Sequence, residues 1–166
     1  RRFSGLSLRK KRVAKGLTII GNTLCVPDDQ KDYFRKEPEQ MMEIFLLSQR
    51  FGVPLADATK QMVMSSLNLV NDDFRSSERV REFFLKILRG EQGVVSTLRQ
   101  MHELRFLGKY IPEFGALTAL VQHELYHTYT VDEHTLFAME QLERLRGSPY
   151  PVNRFYSRLF MEVQKP

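Results

Sequence analysis

Residues 76–90 read Ser76-Ser77-Glu78-Arg79-Val80-Arg81-Glu82-Phe83-Phe84-Leu85-Lys86-Ile87-Leu88-Arg89-Gly90. Val80, Phe83, Phe84, Ile87 and Leu88 recur at i, i+3, i+4, i+7 and i+8, the stripe of a helix with one buried face. Ser76 or Ser77 offers a side-chain oxygen to the free N–H groups at its start. Gly90 ends it in a conformation that costs glycine little. A helix with one apolar stripe must be covered, and the flanking sequence supplies more helices. Residues 38–51 begin at Pro38, a favoured first-turn residue. They carry Met41, Met42, Ile44, Phe45, Leu46 and Leu47 and stop at Gly52. Residues 55–70 hold Leu55, Ala58, Met62, Leu67 and Val70 loosely in step, and residues 94–105 hold Val94, Leu98 and Met101. The pattern predicts a mainly α chain, a multi-helix bundle-like array.

Between these helices, Asn71-Asp72-Asp73-Phe74-Arg75 reads as a loop, with Asp72 and Asp73 ending one helix and capping the next. Residues 108–115 read as a turn-rich connection. Further helices are predicted over 116–127 and 131–146, the latter opened by a capping box of Thr130 and Glu133. Gly147-Ser148-Pro149 breaks it, and a short helix follows over 152–163. At the other end, residues 17–26 predict a small N-terminal β-hairpin. Its β-branched residues flank Gly21-Asn22, a pair that readily takes positive φ, and Pro27-Asp28-Asp29 closes it.

The bulk figures exclude several classes. With 166 residues, 42% hydrophobic and 27% charged, the chain fits one ordinary globular unit rather than a disordered tail or coiled coil. No apolar run approaches the roughly 18 residues a membrane span needs, so no membrane partner is expected. Cys25 is the only cysteine, so an intrachain disulfide is impossible and a cytoplasmic location is expected. The start, Arg1-Arg2-Phe3-Ser4, carries neither an initiator Met nor a signal core and reads as a cut within a longer chain. Seven of the 25 bases stand in residues 1–15, which hold no acid, leaving 18 bases against 20 acids elsewhere. The net charge of +5 is therefore local to the N-terminus. A basic cluster of this size suits a nucleic-acid-binding module, but no stacking aromatics are interleaved with it. A solvated surface or a domain-facing patch is the preferred reading.

Three of the four histidines, His123, His127 and His134, fall within twelve residues. His123-Glu124-Leu125-Tyr126-His127 has the His-Glu-x-x-His form, in which two histidines on one helix face hold zinc and the glutamate acts as base. A zinc metallopeptidase-like helical protein is thus one alternative. It lacks a defined third protein ligand. His134 follows His127 by seven residues with no glycine between, whereas the extended motif wants six and a glycine. Glu140 and Glu143 remain as ligand candidates on a helix rich in charge. The plainer reading is two partly buried histidines near a helix end. His102 has no acid-rich partner set nearby in sequence and reads as structural or exposed. No Gly-rich phosphate loop, Cys-His pair or Ser-His-Asp set stands out.

The segment Gln122-His123-Glu124-Leu125-Tyr126-His127-Thr128-Tyr129-Thr130-Val131-Asp132-Glu133-His134-Thr135-Leu136 resembles the entrance to the HD phosphohydrolase domain of bacterial PII uridylyltransferase/uridylyl-removing enzymes. Relatives usually carry Asp where this chain has Glu124, so the peptidase pattern arises from a departure from that family. Leu107 through Gly115 and Asn71 through Arg75 also resemble it, with fainter agreement in the hairpin and from Pro38 through Phe45. The similarity covers about residues 17–146, and 107–136 is its specific part.

The resemblance implies an internal piece of a multifunctional enzyme of nitrogen metabolism regulation. Residues 1–35 would be a basic segment and hairpin, 36–120 the helical domain following the nucleotidyltransferase domain, and 121–166 the incomplete beginning of the HD domain. The parent would move UMP from UTP to the PII regulatory protein and hydrolyse that linkage again, using a divalent metal, Mg or Mn. His134 matches the early His of the HD metal ligands, while His123 and His127 are weaker metal candidates. No His-Asp doublet occurs in the 166 residues, and the resemblance implies that the transferase's Gly-Ser motif and paired metal-binding carboxylates would lie before Arg1 in the parent. The piece is expected to act as a structural connector without a complete active site, binding no cofactor of its own.

Overall fold

A computed structural model describes residues 10–14, 16–27, 30, 32–118, 130–145, 155–156, 158–159 and 162. At its N-terminal end, β1 (Lys10–Arg12), β2 (Thr18–Ile20) and β3 (Thr23–Cys25) form an antiparallel sheet in that order. The expected hairpin is β2–β3, with Ile19 opposite Leu24 and Gly21 at φ 61° in the turn. The structure adds β1, which pairs Lys11 with Ile19. Three consecutive bases are poor strand formers by side chain, but their backbone satisfies the open edge of β2 while all three stay exposed. On the other side, Leu24 N–H donates to Pro54 O (2.8 Å) and Ala56 N–H to Leu24 O (2.9 Å), so the sheet is stitched to the start of a helix.

The helices follow as α1 (Tyr33–Lys36), α2 (Gln40–Phe51), α3 (Asp57–Ser65), α4 (Asp72–Ser76), α5 (Glu78–Leu88), α6 (Val94–Glu103), α7 (Phe106–Tyr110), α8 (Pro112–Leu117) and α9 (Val131–Leu145). α2 is the central rod because its apolar residues surround most of its circumference. Met41, Met42, Ile44, Phe45 and Leu47 are all buried. Gly52, at φ 62°, ends it as expected. α5 lays Val80 and Ile87 against it. The Gln49 amide of α2 reaches across to Ile87 O (3.0 Å) and Gln92 O (3.2 Å), satisfying carbonyls at and after the end of α5. Leu24 from the sheet, with Leu17 and Val26 flanking its strands, joins Leu98, Met101, Phe106 and Leu107 in one core with α2 and α5.

Three expectations need correction. The helix over 55–70 is broken, with α3 ending at Ser65 and a 3-10 turn over Leu67–Leu69. The loop at 71–75 is instead α4, with Asp72 and Asp73 in its first turn, where carboxylates favour the positive end of the helix dipole. Its cap is Asn71, whose Oδ1 accepts from Phe74 N–H at 3.0 Å. The turn-rich stretch 108–115 is α7 and α8, bent apart at Ile111 with Pro112 opening the second helix. Of the helix expected over 116–127, Ala116 and Leu117 are the last residues of α8, and residues 119–127 lie outside the described part. Ser77 caps α5 as expected, accepting from Val80 N–H at 3.4 Å, and donates to Glu39 Oε1 at 2.5 Å. Asn71→Ala is expected to cost about 1 kcal/mol, the usual worth of such a cap. Urea denaturation of the variant beside wild type measures it.

Candidate functional site

α9 is the element on which the predicted site residue stands, and two faces divide it. Asp132, Glu133, Leu136, Met139, Glu140 and Glu143 recur at helical spacing and share one side. That side meets α6 and α8. Leu136 is fully buried, and Met139 packs half-buried against the core. Around them the contact is ionic. Asp132 Oδ2 lies 3.0 Å from His102 Nε2, and Glu133 Oε1 lies 3.6 Å from the same nitrogen. Arg99 reaches Glu133 at 2.9 Å and Glu140 at 3.6 Å. Glu143 then accepts from the N–H groups of Val94 (3.1 Å) and Val95 (3.3 Å), filling the free donors at the start of α6. The arginine pairs are about one-third exposed on both partners, so each is worth at most about 1 kcal/mol.

His102 therefore has the acidic partners that sequence proximity did not supply. They come from thirty residues downstream, and the histidine is mostly buried, its ring edge-on to Phe114 at 5.6 Å. No local signal in residues 94–105 announces them. Burial pushes the Asp132 carboxyl up, but the Thr130 hydroxyl, the Glu133 N–H, the Thr118 hydroxyl and the His102 ring outweigh it and hold the group below its ordinary 3.8. A value lowered by folding means that the ionised form stabilises the fold. That contribution is fully present above the unfolded value and is lost as pH falls through the folded one. Asp132→Asn should therefore melt below wild type at pH 7, and the gap should close below about pH 4. Melting curves across that range check the sign.

The opposite face of α9 carries His134, exposed, in line with Phe137 and Leu142, which are 48% and 51% exposed. Among the described residues no three His, Cys, Asp or Glu side chains converge in a way that could hold a metal ion. The described residues thus do not fit a metal centre by themselves, and His134 stands as a single potential ligand. His123 and His127 lie outside the described residues. The two carboxylates considered as further zinc ligands are engaged otherwise, Glu140 with Arg99 and Arg144, and Glu143 on the start of α6. Of the basic N-terminal run, Lys10–Arg12 form β1, and Lys11 sits over the Phe51 ring at 5.4 Å. An open cleft of about 680 Å³ between the start of α2 and α4–α5 is lined in part by Glu39, Asn71, Asp73, Ser77 and Arg79. Glu39 is bonded there to Ser77 and Arg79.

The described residues form a helical body with a small sheet, against which α9 packs through a largely polar face. The chain belongs to the uridylyltransferase GlnD family. The family model described as "Uridylyltransferase GlnD third domain" matches residues 18–110, from β2 through α7. The chain is 34% identical over 136 residues to a "Bifunctional uridylyltransferase/uridylyl-removing enzyme" of Erythrobacter litoralis, covering 82% of this chain. It is 33% identical over 139 residues to a protein of that name from Azospirillum brasilense, covering 84% of this chain. A third, from Chromobacterium violaceum, is 37% identical over 136 residues, covering 80%. The chain spans only about 15% of the length of these relatives. No solved structure matches it. Among the described residues no helix is long and apolar enough to cross a membrane.

Proposed function

We propose that this chain is the helical connector of a bifunctional enzyme that transfers UMP from UTP to the PII regulatory protein and removes it again. The observation that carries this reading is the 34% identity over 136 residues to a relative whose name joins both activities, of which the chain spans 15%. In this reading the body over 18–110 holds the transferase and hydrolase parts in a fixed relation. His134 is the first ligand of an HD hydrolase site whose other ligands come from elsewhere in the polypeptide, and a divalent Mg or Mn ion would sit there. The free thiol of Cys25 suits a cytoplasmic enzyme. Support for His134 comes from its placement. It is exposed on the face of α9 that points away from α6, beside apolar side chains that further helices would cover.

The test is His134→Ala in the full-length enzyme. Uridylyl removal from modified PII should be lost while UMP transfer to PII continues. Unimpaired removal would overturn the assignment of His134. Absence of both activities from the full-length wild-type enzyme would overturn the function itself.

A further inference from the structure

Every carboxylate on the inner face of α9 meets a polar side chain or a backbone N–H of α6. Asp132 and Glu133 face His102, Glu133 and Glu140 face Arg99, and Glu143 covers the first N–H groups of the helix. The apolar share is small. Among the described residues of α9, Leu136 is the one fully buried apolar side chain, with Met139 beside it. α2 by contrast buries five apolar side chains. The contacts along the C-terminal half of α9 border open space. A cleft of about 500 Å³ remains there, lined by Val95, Ser96, Arg99, Glu140, Glu143 and Arg144. α9 also lies outside residues 18–110, the part that matches the family's third domain.

We propose that the α6–α9 contact is a charge-held joint: α9 swings off α6 as an intact helix while the body over residues 18–110 stays folded. The Arg99 pairs beside this cleft are about one-third exposed and so are screened by salt, whereas the aromatic and aliphatic core is not. One fully buried apolar side chain, Leu136, with Met139 packed half-buried against the core, is a small apolar hold for a fifteen-residue helix. Arg99 is the pivot, because among the described residues it alone binds two carboxylates about two helical turns apart on α9. His134 stands on the outer face, so the joint would carry it through space whether or not it binds metal. The proposal stands without the hydrolase assignment.

The experiment places nitroxide labels at Gln61→Cys in α3 and Ala138→Cys in α9, both exposed, in a Cys25→Ser background. Distances are read by pulsed electron resonance at about 0.01 M and about 1 M salt, where the screening length falls from roughly 30 Å to 3 Å. One narrow distance is expected at low salt. A second, longer population should grow at least about fivefold at high salt, with helical circular dichroism unchanged. Arg99→Glu should open the joint at low salt, and adding Glu133→Arg with Glu140→Arg should close it again. The proposal is overturned by a single unchanged distance in high salt, or by loss of helicity that accompanies the opening. Should Arg99→Glu fail to fold, the salt series on the labelled parent decides alone.

Discussion

Phe106→Ala is expected to destabilise the chain by about 3–5 kcal/mol, the range for truncating a fully buried phenylalanine. Phe106 has no exposed surface and stands where α2, α4 and α7 meet. Its ring lies 5.0 Å from that of Phe45, 6.0 Å edge-on from Phe74 and 6.5 Å, nearly parallel, from Tyr110. Removing the ring takes away its burial and leaves a void that three neighbouring rings cannot all enter without leaving their own contacts. Against a total stability of about 5–15 kcal/mol, that is enough to bring a domain of this size near unfolding at ambient temperature. Urea denaturation followed by far-ultraviolet circular dichroism measures it. A loss under about 1 kcal/mol with an unchanged slope would mean that the aromatic cluster is not the centre of the core.

Gly115→Ala sets two effects against each other. Alanine is the better helix former by about 1 kcal/mol, and Gly115 lies inside α8. A Cβ there, however, would stand 2.6 Å from the carbonyl oxygen of Gly108 and 3.1 Å from its Cα. The reciprocal Cβ on Gly108 would meet Gly115 Cα at 2.9 Å. These are backbone atoms, so no rotamer relieves the clash and α7 must move off α8. We expect the clash to win, with a net loss of about 1–3 kcal/mol and a lowered melting temperature. A rise in melting temperature would show that the two backbones do not touch there.

How much of this was legible beforehand depends on the range of each signal. The α5 stripe of Val80, Phe83, Phe84, Ile87 and Leu88 and its Ser77 cap are local, and the structure repeats them. The same holds for α2 with its Gly52 stop, and for α9 over Val131–Leu145. α4, α7 and α8 escaped because helices of five or six residues are too short to show a periodic stripe. Their sequences are also rich in Asn, Asp, Gly and Pro, the residues of turns. The two glycines taken as turn markers are instead the contact through which α7 and α8 cross.

The sequence by itself determined the helical class and the hairpin at Gly21-Asn22, because periodicity and turn chemistry are properties of neighbours along the chain. Only the tertiary structure decided that Phe106 meets Phe45 and Phe74, and that His102 meets Asp132. It also decided which face of α9 is inner, and so left His134 outside and the carboxylates on α6. The physical reason is distance along the chain. Residues thirty or more positions apart are brought together by burial of apolar surface, and such pairings leave no mark in the local pattern of either partner.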